Sequence, residues 1–89
     1  MDAKEELKNW LLYLFTGLVA NPSDISFEVK TDEMGVLFTV SCNPQDVGKV
    51  IGRKGATVTA VRTILTAAGM NRNIRAALKV NAPDFRQPV

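Results

Sequence analysis

The chain of 89 residues carries a net charge of +2, and 46% of its residues are hydrophobic. These values predict a single soluble globular domain with a modest core. The chain has no histidine and one cysteine, Cys42, so the sequence excludes an internal disulfide framework and predicts no metal site or other cofactor.

Residues 3–20 have helical spacing, and Asn21-Pro22 is predicted to end this helix. The side chains predicted to pack on a sheet form one stripe, Leu7, Leu11, Leu14 and Leu18. The side chains then left on a flank are Leu12, Phe15 and Val19. This flank predicts a dimer contact, and the alternative is that a small domain buries the whole helix deeply. The apolar run 10–20 is too short to span a bilayer and lacks the flanks of a signal peptide.

Two segments with alternating apolar residues follow the helix, at 25–30 and 36–42. Such alternation is typical of half-buried strands. The short connection 31–35 contains Asp, Glu and Gly, so the two strands are predicted to form an antiparallel hairpin. Cys42 closes the second alternation and is predicted to be a buried strand residue.

The second half of the chain predicts two helices separated by a glycine loop, and then a third strand. Asn43 suits the cap of the first of these helices, and Pro44 suits its first position. Helical spacing resumes over 58–68, with Gly69 as a C-terminal cap, and alternation over 74–80 indicates the strand. The predicted fold is therefore an α+β two-layer domain, helix-strand-strand-helix-loop-helix-strand, with a three-stranded sheet and its helices on one face.

The loop between the two helices consists of Gly52, Arg53, Lys54 and Gly55. Glycine permits unusual φ and ψ values and close approach by a partner. If Gly55 opens the next helix, the free N–H groups and the positive end of that helix face the same phosphate. The loop thus predicts a binding site for a nucleic-acid phosphate.

Charge is divided unequally along the chain. Residues 1–46 contain three cations and eight anions, whereas residues 47–83 contain seven cations and no anion. This asymmetry predicts a basic face for a polyanion, and the alternative is a chance distribution of solvated charge. Lys49 and Arg62 are the cations that flank the loop, and both are predicted to follow a nucleic-acid backbone. No aromatic residue occurs between 39 and 84, so bases would pack on aliphatic side chains, which predicts weak affinity.

The loop, with Val50-Ile51 before it and Val58 after it, resembles the signature of KH domains. The order of elements is similar to the type II arrangement, and residues 3–80 are similar to small bacterial single-domain KH proteins of the KhpA type. Segments 43–52 and 61–65 carry much of this resemblance, whereas the end of the chain after residue 81 departs from it.

The resemblance implies binding of single-stranded RNA, with about four nucleotides beside the loop. It implies a cytoplasmic post-transcriptional regulator or RNA chaperone that acts as a homodimer, or as a heterodimer with a larger KH-containing protein. The KH domain would span residues 1–81, followed by a flexible tail, 82–89. Carried over by position, the phosphate clamp is Gly52, Arg53, Lys54 and Gly55, and the apolar floor and flanks are Val50, Ile51 and Val58. For Val50 and Ile51 core packing is an equal alternative.

Catalysis is not expected, because the chain has no histidine and no paired carboxylates near the loop. The stronger alternative is a protein-interaction module that keeps the KH shape and binds little or no RNA. Two adjacent cations between two glycines favour RNA binding, since a scaffold has no need for them.

Overall fold

A computed structural model describes residues 2–81 of the chain. Within this range three α-helices and three strands occur in the predicted order. They are α1 (Ala3–Thr16), β1 (Ser26–Asp32), β2 (Gly35–Ser41), α2 (Val47–Ile51), α3 (Ala56–Met70) and β3 (Ala76–Asn81). No helix in this range has both the length and the apolar character that a membrane crossing requires. The predicted tail, 82–89, lies outside the described residues.

The strands form one sheet in the order β1-β2-β3. The β1 and β2 strands are antiparallel, with Val29 opposite Phe38, whereas β3 runs parallel to β2. A single cluster of buried side chains unites one face of the sheet with all three helices. The predicted hairpin and the α+β two-layer architecture, with its helices on one side of the sheet, are therefore confirmed.

The first helix is shorter than predicted, because it ends at Thr16 rather than near residue 20. Asp2 is its N-cap residue, and the Asp2 carboxylate accepts a hydrogen bond from the Glu5 N–H at 2.9 Å. At its other end, the Gly17 N–H is shared between two carbonyls of the last turn, and Leu18 bonds back to Phe15 at 3.0 Å. Glycine is about 1 kcal/mol less favourable than alanine within a helix, so Gly17 at the C-cap favours the end of α1 there.

The buried side of α1 also differs from the predicted leucine stripe. Its buried side chains are Leu7, Leu11 and Phe15, spaced at intervals of four, whereas Leu18 is 39% exposed. The Phe15 ring lies against Phe27 of β1, with 5.9 Å between ring centroids. The placement of Phe15 on an exposed flank is therefore wrong, because its side chain is fully buried. The other two residues of that flank, Leu12 and Val19, are half-buried against the core.

Gly69 lies within α3 and is not its cap, which corrects the prediction. A Cβ on Gly69 would lie 2.7 Å from the Ile74 carbonyl oxygen and 3.0 Å from the Ala76 Cβ. The missing side chain allows α3 and the start of β3 to approach closely. The residue that adopts a left-handed conformation in the turn between α3 and β3 is instead Asn73, which has a φ of 60°.

Asp46 is a buried acid that joins two distant parts of the chain. Its carboxylate accepts hydrogen bonds from the Ala20 N–H at 3.2 Å, the Asn21 N–H at 3.0 Å and the Asn21 Nδ2 at 3.1 Å. Burial raises the pKa of the Asp46 carboxyl, but these hydrogen bonds and the nearby Lys49 outweigh burial and hold that pKa below its ordinary value. The acid thus fixes the start of α2 against the α1–β1 connection.

Replacing this acid by Asp46→Asn is expected to lower the thermal midpoint at pH 7, because one charge-assisted acceptor is lost and an amide must face N–H donors. Because the pKa of Asp46 is lower in the folded state, its stabilisation is present above its ordinary value and disappears as pH falls through the lowered value. Denaturant unfolding at pH 7 and at a series of values well below about pH 4 checks this, and the two proteins should converge only once the pH is below the lowered pKa of Asp46. Glu28→Gln on β1 is the exposed control. A difference between Asp46→Asn and wild type that persists in acid would contradict the assignment.

Candidate nucleic-acid interface

The loop of residues 52–55 connects α2 to α3 and contains three residues with positive φ. Gly52 has φ 80° and ψ 172°, Lys54 has φ 54° and ψ 27°, and Gly55 has φ 77° and ψ 12°. The turn is closed by the Gly52 N–H, which donates to the Gly48 carbonyl at 2.8 Å, and by the Gly55 N–H, which donates to the Gly52 carbonyl at 3.1 Å.

Position 52 accepts only glycine, for two separate reasons. Its φ and ψ lie in a region that residues with a Cβ rarely adopt. A Cβ there would also lie 2.7 Å from both the main-chain nitrogen and the Cβ of Thr57, in the first turn of α3. The absence of a side chain at Gly52 therefore brings the loop directly onto the start of α3.

The start of α3 faces this loop and has no side-chain cap. Gly55 is the N-cap residue, and no side chain accepts a hydrogen bond from the first turn of this helix of 15 residues. The Ala56 N–H donates to the Arg53 carbonyl, and the other N–H groups of the first turn lie at a helix start that carries the equivalent of about half a positive charge. The expectation that Gly55 opens the helix that follows the loop, α3, is confirmed.

Two exposed cations occupy the tip of the loop, Arg53 and Lys54. Lys54 has a left-handed conformation, which costs a residue with a side chain about 1–2 kcal/mol. Strain of this kind at an exposed residue is common at functional sites, where the surrounding structure holds it. Neither cation is in an ion pair within the described residues 2–81.

The other two predicted cations, Lys49 and Arg62, are held by the protein. The Lys49 Nζ lies 3.8 Å from the Asp46 carboxylate, although 55% of the lysine side chain remains exposed. The Arg62 Nε donates to the Leu78 carbonyl oxygen of β3 at 3.1 Å. This bond occupies one edge of the guanidinium and leaves its other N–H groups available to a ligand.

The three apolar residues predicted to line the groove are buried beneath the loop. Val50 is fully buried, and Ile51 and Val58 are each 4% exposed. All three belong to the main core cluster. The structure therefore places these side chains in the core, as the core alternative for Val50 and Ile51 predicted, whereas Val58 was predicted only as a flank of the groove.

The surroundings of the loop are basic, and Gly48 leaves open space beside it. After Asp46 no Asp or Glu occurs in the described part of the chain. A Cβ on Gly48 would have no atom within 4 Å, so packing does not require glycine at this position of α2. Gly48 lies one helical turn before Gly52 and hence on the same side of the helix. Gly48 was not among the residues that the sequence predicted for the site, although the spacing of four residues between Gly48 and Gly52 could have indicated it.

Comparison with known proteins shows which family this chain resembles. The family model for the KhpA/KhpB KH domain matches residues 8–80. The chain is similar to the RNA-binding protein KhpA of Leifsonia xyli, with 38% identity over 65 residues, covering 73% of this chain and 86% of that protein.

Two further relatives carry the same name. KhpA of Mycobacterium tuberculosis H37Rv is 43% identical over 63 residues, covering 71% of this chain and 78% of the relative. KhpA of Streptomyces coelicolor is 39% identical over 72 residues, covering 81% of this chain and 90% of the relative. No solved structure matches the chain. The family model covers most of the chain, including the glycine loop and the elements of the α+β fold described above. The chain therefore belongs to the KhpA/KhpB KH-domain family.

Proposed function

We propose that this protein binds single-stranded RNA and holds a phosphate of the RNA at the loop of residues 52–55. The observation that carries the proposal is the uncapped start of α3, which faces a glycine turn with two exposed cations. Main-chain N–H groups at a helix start bind phosphate well, and the nearby cations add charge. The relatives named RNA-binding proteins support the choice of ligand.

The parts of the site have different roles in this proposal. Free N–H groups at the start of α3 bind phosphate oxygens, and Arg53 and Lys54 neutralise the charge of the backbone. Arg62, oriented by the Leu78 carbonyl, contacts a later part of the strand. About four nucleotides are held beside a loop of this kind. Lys49 contributes less, because Asp46 already neutralises part of its charge.

Direct binding of RNA tests the proposal. Fluorescence anisotropy with unstructured RNA pools and matched DNA is expected to show salt-sensitive binding to RNA. For single strands, the logarithm of the affinity falls with the logarithm of the salt concentration by about 0.7 for each phosphate contacted. Folded protein that binds neither pool at low salt would refute RNA binding and favour the alternative, a protein-interaction module.

We further propose that the protein self-associates through the exposed side of α3. Ile64 is 53% exposed, and the small exposed residues Ala60, Thr63 and Ala67 surround it. A two-fold axis between Thr63 and Ile64 would place Ala60 of one copy opposite Ala67 of the second, so the surface complements itself. Ile64 lies about 200° around the helix from Arg62, so this contact leaves the Arg62 side open to RNA.

Ile64→Glu is expected to convert a dimer into a folded monomer, because two like charges would meet at the axis without a partner. Sedimentation equilibrium at several concentrations measures the mass, and circular dichroism checks folding. Tyr13→Glu is the matched control, since Tyr13 of α1 is 83% exposed. A mass unchanged by Ile64→Glu, or changed equally by Tyr13→Glu, would contradict the proposed contact.

An RNA ligand accords with a post-transcriptional regulator or RNA chaperone that acts in the cytoplasm. The same exposed side of α3 would serve a homodimer, or a heterodimer with a larger KH-containing protein. The family consists of RNA-binding KH proteins, and it is not known as a family of enzymes.

A further inference from the structure

An open cavity of about 370 Å³ lies at the end of α3 that is farthest from the glycine loop. We name it the distal cavity. Its lining residues are Thr66, Met70, Asn73, Ile74, Arg75 and Ala76. These residues belong to the end of α3, the start of β3 and the connection between them. None of them belongs to the phosphate site proposed above.

The distal cavity continues one edge of α3 that begins near the loop. Arg62, Thr66 and Met70 follow one another at intervals of four, so they share that edge. Arg62 bonds to Leu78 of β3, while Thr66 and Met70 line the cavity. The close approach at Gly69 keeps this edge beside β3 over its length. Arg62, Thr66 and Met70 are all exposed, so this edge of α3 forms a continuous surface from the loop side of the helix to the distal cavity.

Arg75 gives the distal cavity a cationic end that the main chain holds in place. Its carbonyl oxygen accepts from the Val36 N–H at 2.8 Å, where β2 begins to pair with β3. Within residues 2–81 the Arg75 guanidinium is in no ion pair. Beyond Arg75, a neighbouring cavity is bordered by Asp32 and Glu33, which would repel a polyanion. The acid-free surface along this edge thus ends at Arg75.

We propose that an RNA strand leaving the loop follows this exposed edge of α3 and places a further nucleotide in the distal cavity, with its phosphate at Arg75. The base of this nucleotide packs on Met70 and Ile74, because aliphatic side chains form the cavity walls. A helix of 15 residues is about 22 Å long, so the path requires RNA longer than a tetranucleotide. This inference rests on the proposed function, because RNA must first bind at the loop.

The test compares the affinities of labelled tetramer and octamer RNAs of mixed sequence by anisotropy at low salt. An octamer contains five overlapping tetramers, so alternative registers alone favour it about five-fold. One more charge-assisted phosphate contact adds about ten-fold in each register that leaves a nucleotide beyond the tetramer, at most four of the five, which predicts a total preference of up to about 40-fold in the wild type. Arg75→Glu is expected to reduce this preference to about five-fold, with tetramer affinity unchanged within about two-fold.

Lys79→Glu is the matched control, because it changes the net charge equally at an exposed residue on the helix-free face of the sheet. It should keep the preference of the wild type. Arg75→Gln should act like Arg75→Glu but more weakly, and circular dichroism verifies folding. If Arg75→Glu leaves the preference for the octamer unchanged, or if Lys79→Glu loses as much of it, the extended path is wrong. The proposed binding of RNA at the loop is not affected by either result. Failure of the wild type to bind either RNA overturns the proposed function and this inference together.

Discussion

The double substitution Arg53→Asp and Lys54→Asp is expected to lower RNA affinity at least about 100-fold. Each charge-assisted contact to phosphate contributes about 1.5–3 kcal/mol, and 1.4 kcal/mol corresponds to a factor of ten. The new carboxylates also repel the backbone of the RNA. Both residues are exposed, so the free energy of unfolding should change little.

Anisotropy at two salt concentrations measures this loss, and the remaining binding should depend less on salt. The control is Lys30→Asp with Lys79→Asp, which produces the same change in charge on the helix-free face of the sheet. If the loop variant binds as well as the wild type, the phosphate clamp is wrong. If the control loses as much affinity as the loop variant, net charge explains the binding and the loop does not.

Gly52→Ala is expected to destabilise the fold by about 2–3 kcal/mol and to abolish RNA binding. The added Cβ would enter a φ and ψ region that disfavours it and would lie 2.7 Å from main-chain and side-chain atoms of Thr57. Relief of this clash must move the loop away from the start of α3. The N–H groups at that helix start would then no longer face the same phosphate as the loop cations.

Gly48→Ala provides a matched control for this substitution, one helical turn earlier. Its Cβ would have no atom within 4 Å, and its position is helical, so alanine should raise stability by about 0.5–1 kcal/mol. Denaturant unfolding measures both variants. Equal destabilisation by the two changes, or a Gly52→Ala protein as stable as the wild type, would contradict the role assigned to Gly52.

The order of elements and the loop could be predicted because their signals are local. Alternation over 25–30 and 36–42 identifies a hairpin without knowledge of any distant residue. The loop is equally local, since two glycines around two cations at a helix start specify backbone freedom and charge together. Resemblance to a family strengthened the prediction, and the family match confirms it.

Errors occurred where local spacing left several packings open. The apolar residues of α1 extend around much of the helix, so spacing alone did not distinguish Leu18 from Phe15 as the core residue. Contact with Phe27 of β1 decides in favour of Phe15. In the same way Gly69 has the composition of a cap, but the approach of Ala76 gives it a different role.

Local pattern and charge were thus sufficient for the class of fold, the glycine loop and the basic character of the second half of the chain. Only the tertiary structure shows that Asp46 bonds to Asn21, that Arg62 bonds to Leu78, and that Val50 is core. These relations join residues far apart in the sequence, or depend on which side of an element becomes buried. Periodicity reports which residues share one side of an element, but packing between elements decides what that side meets.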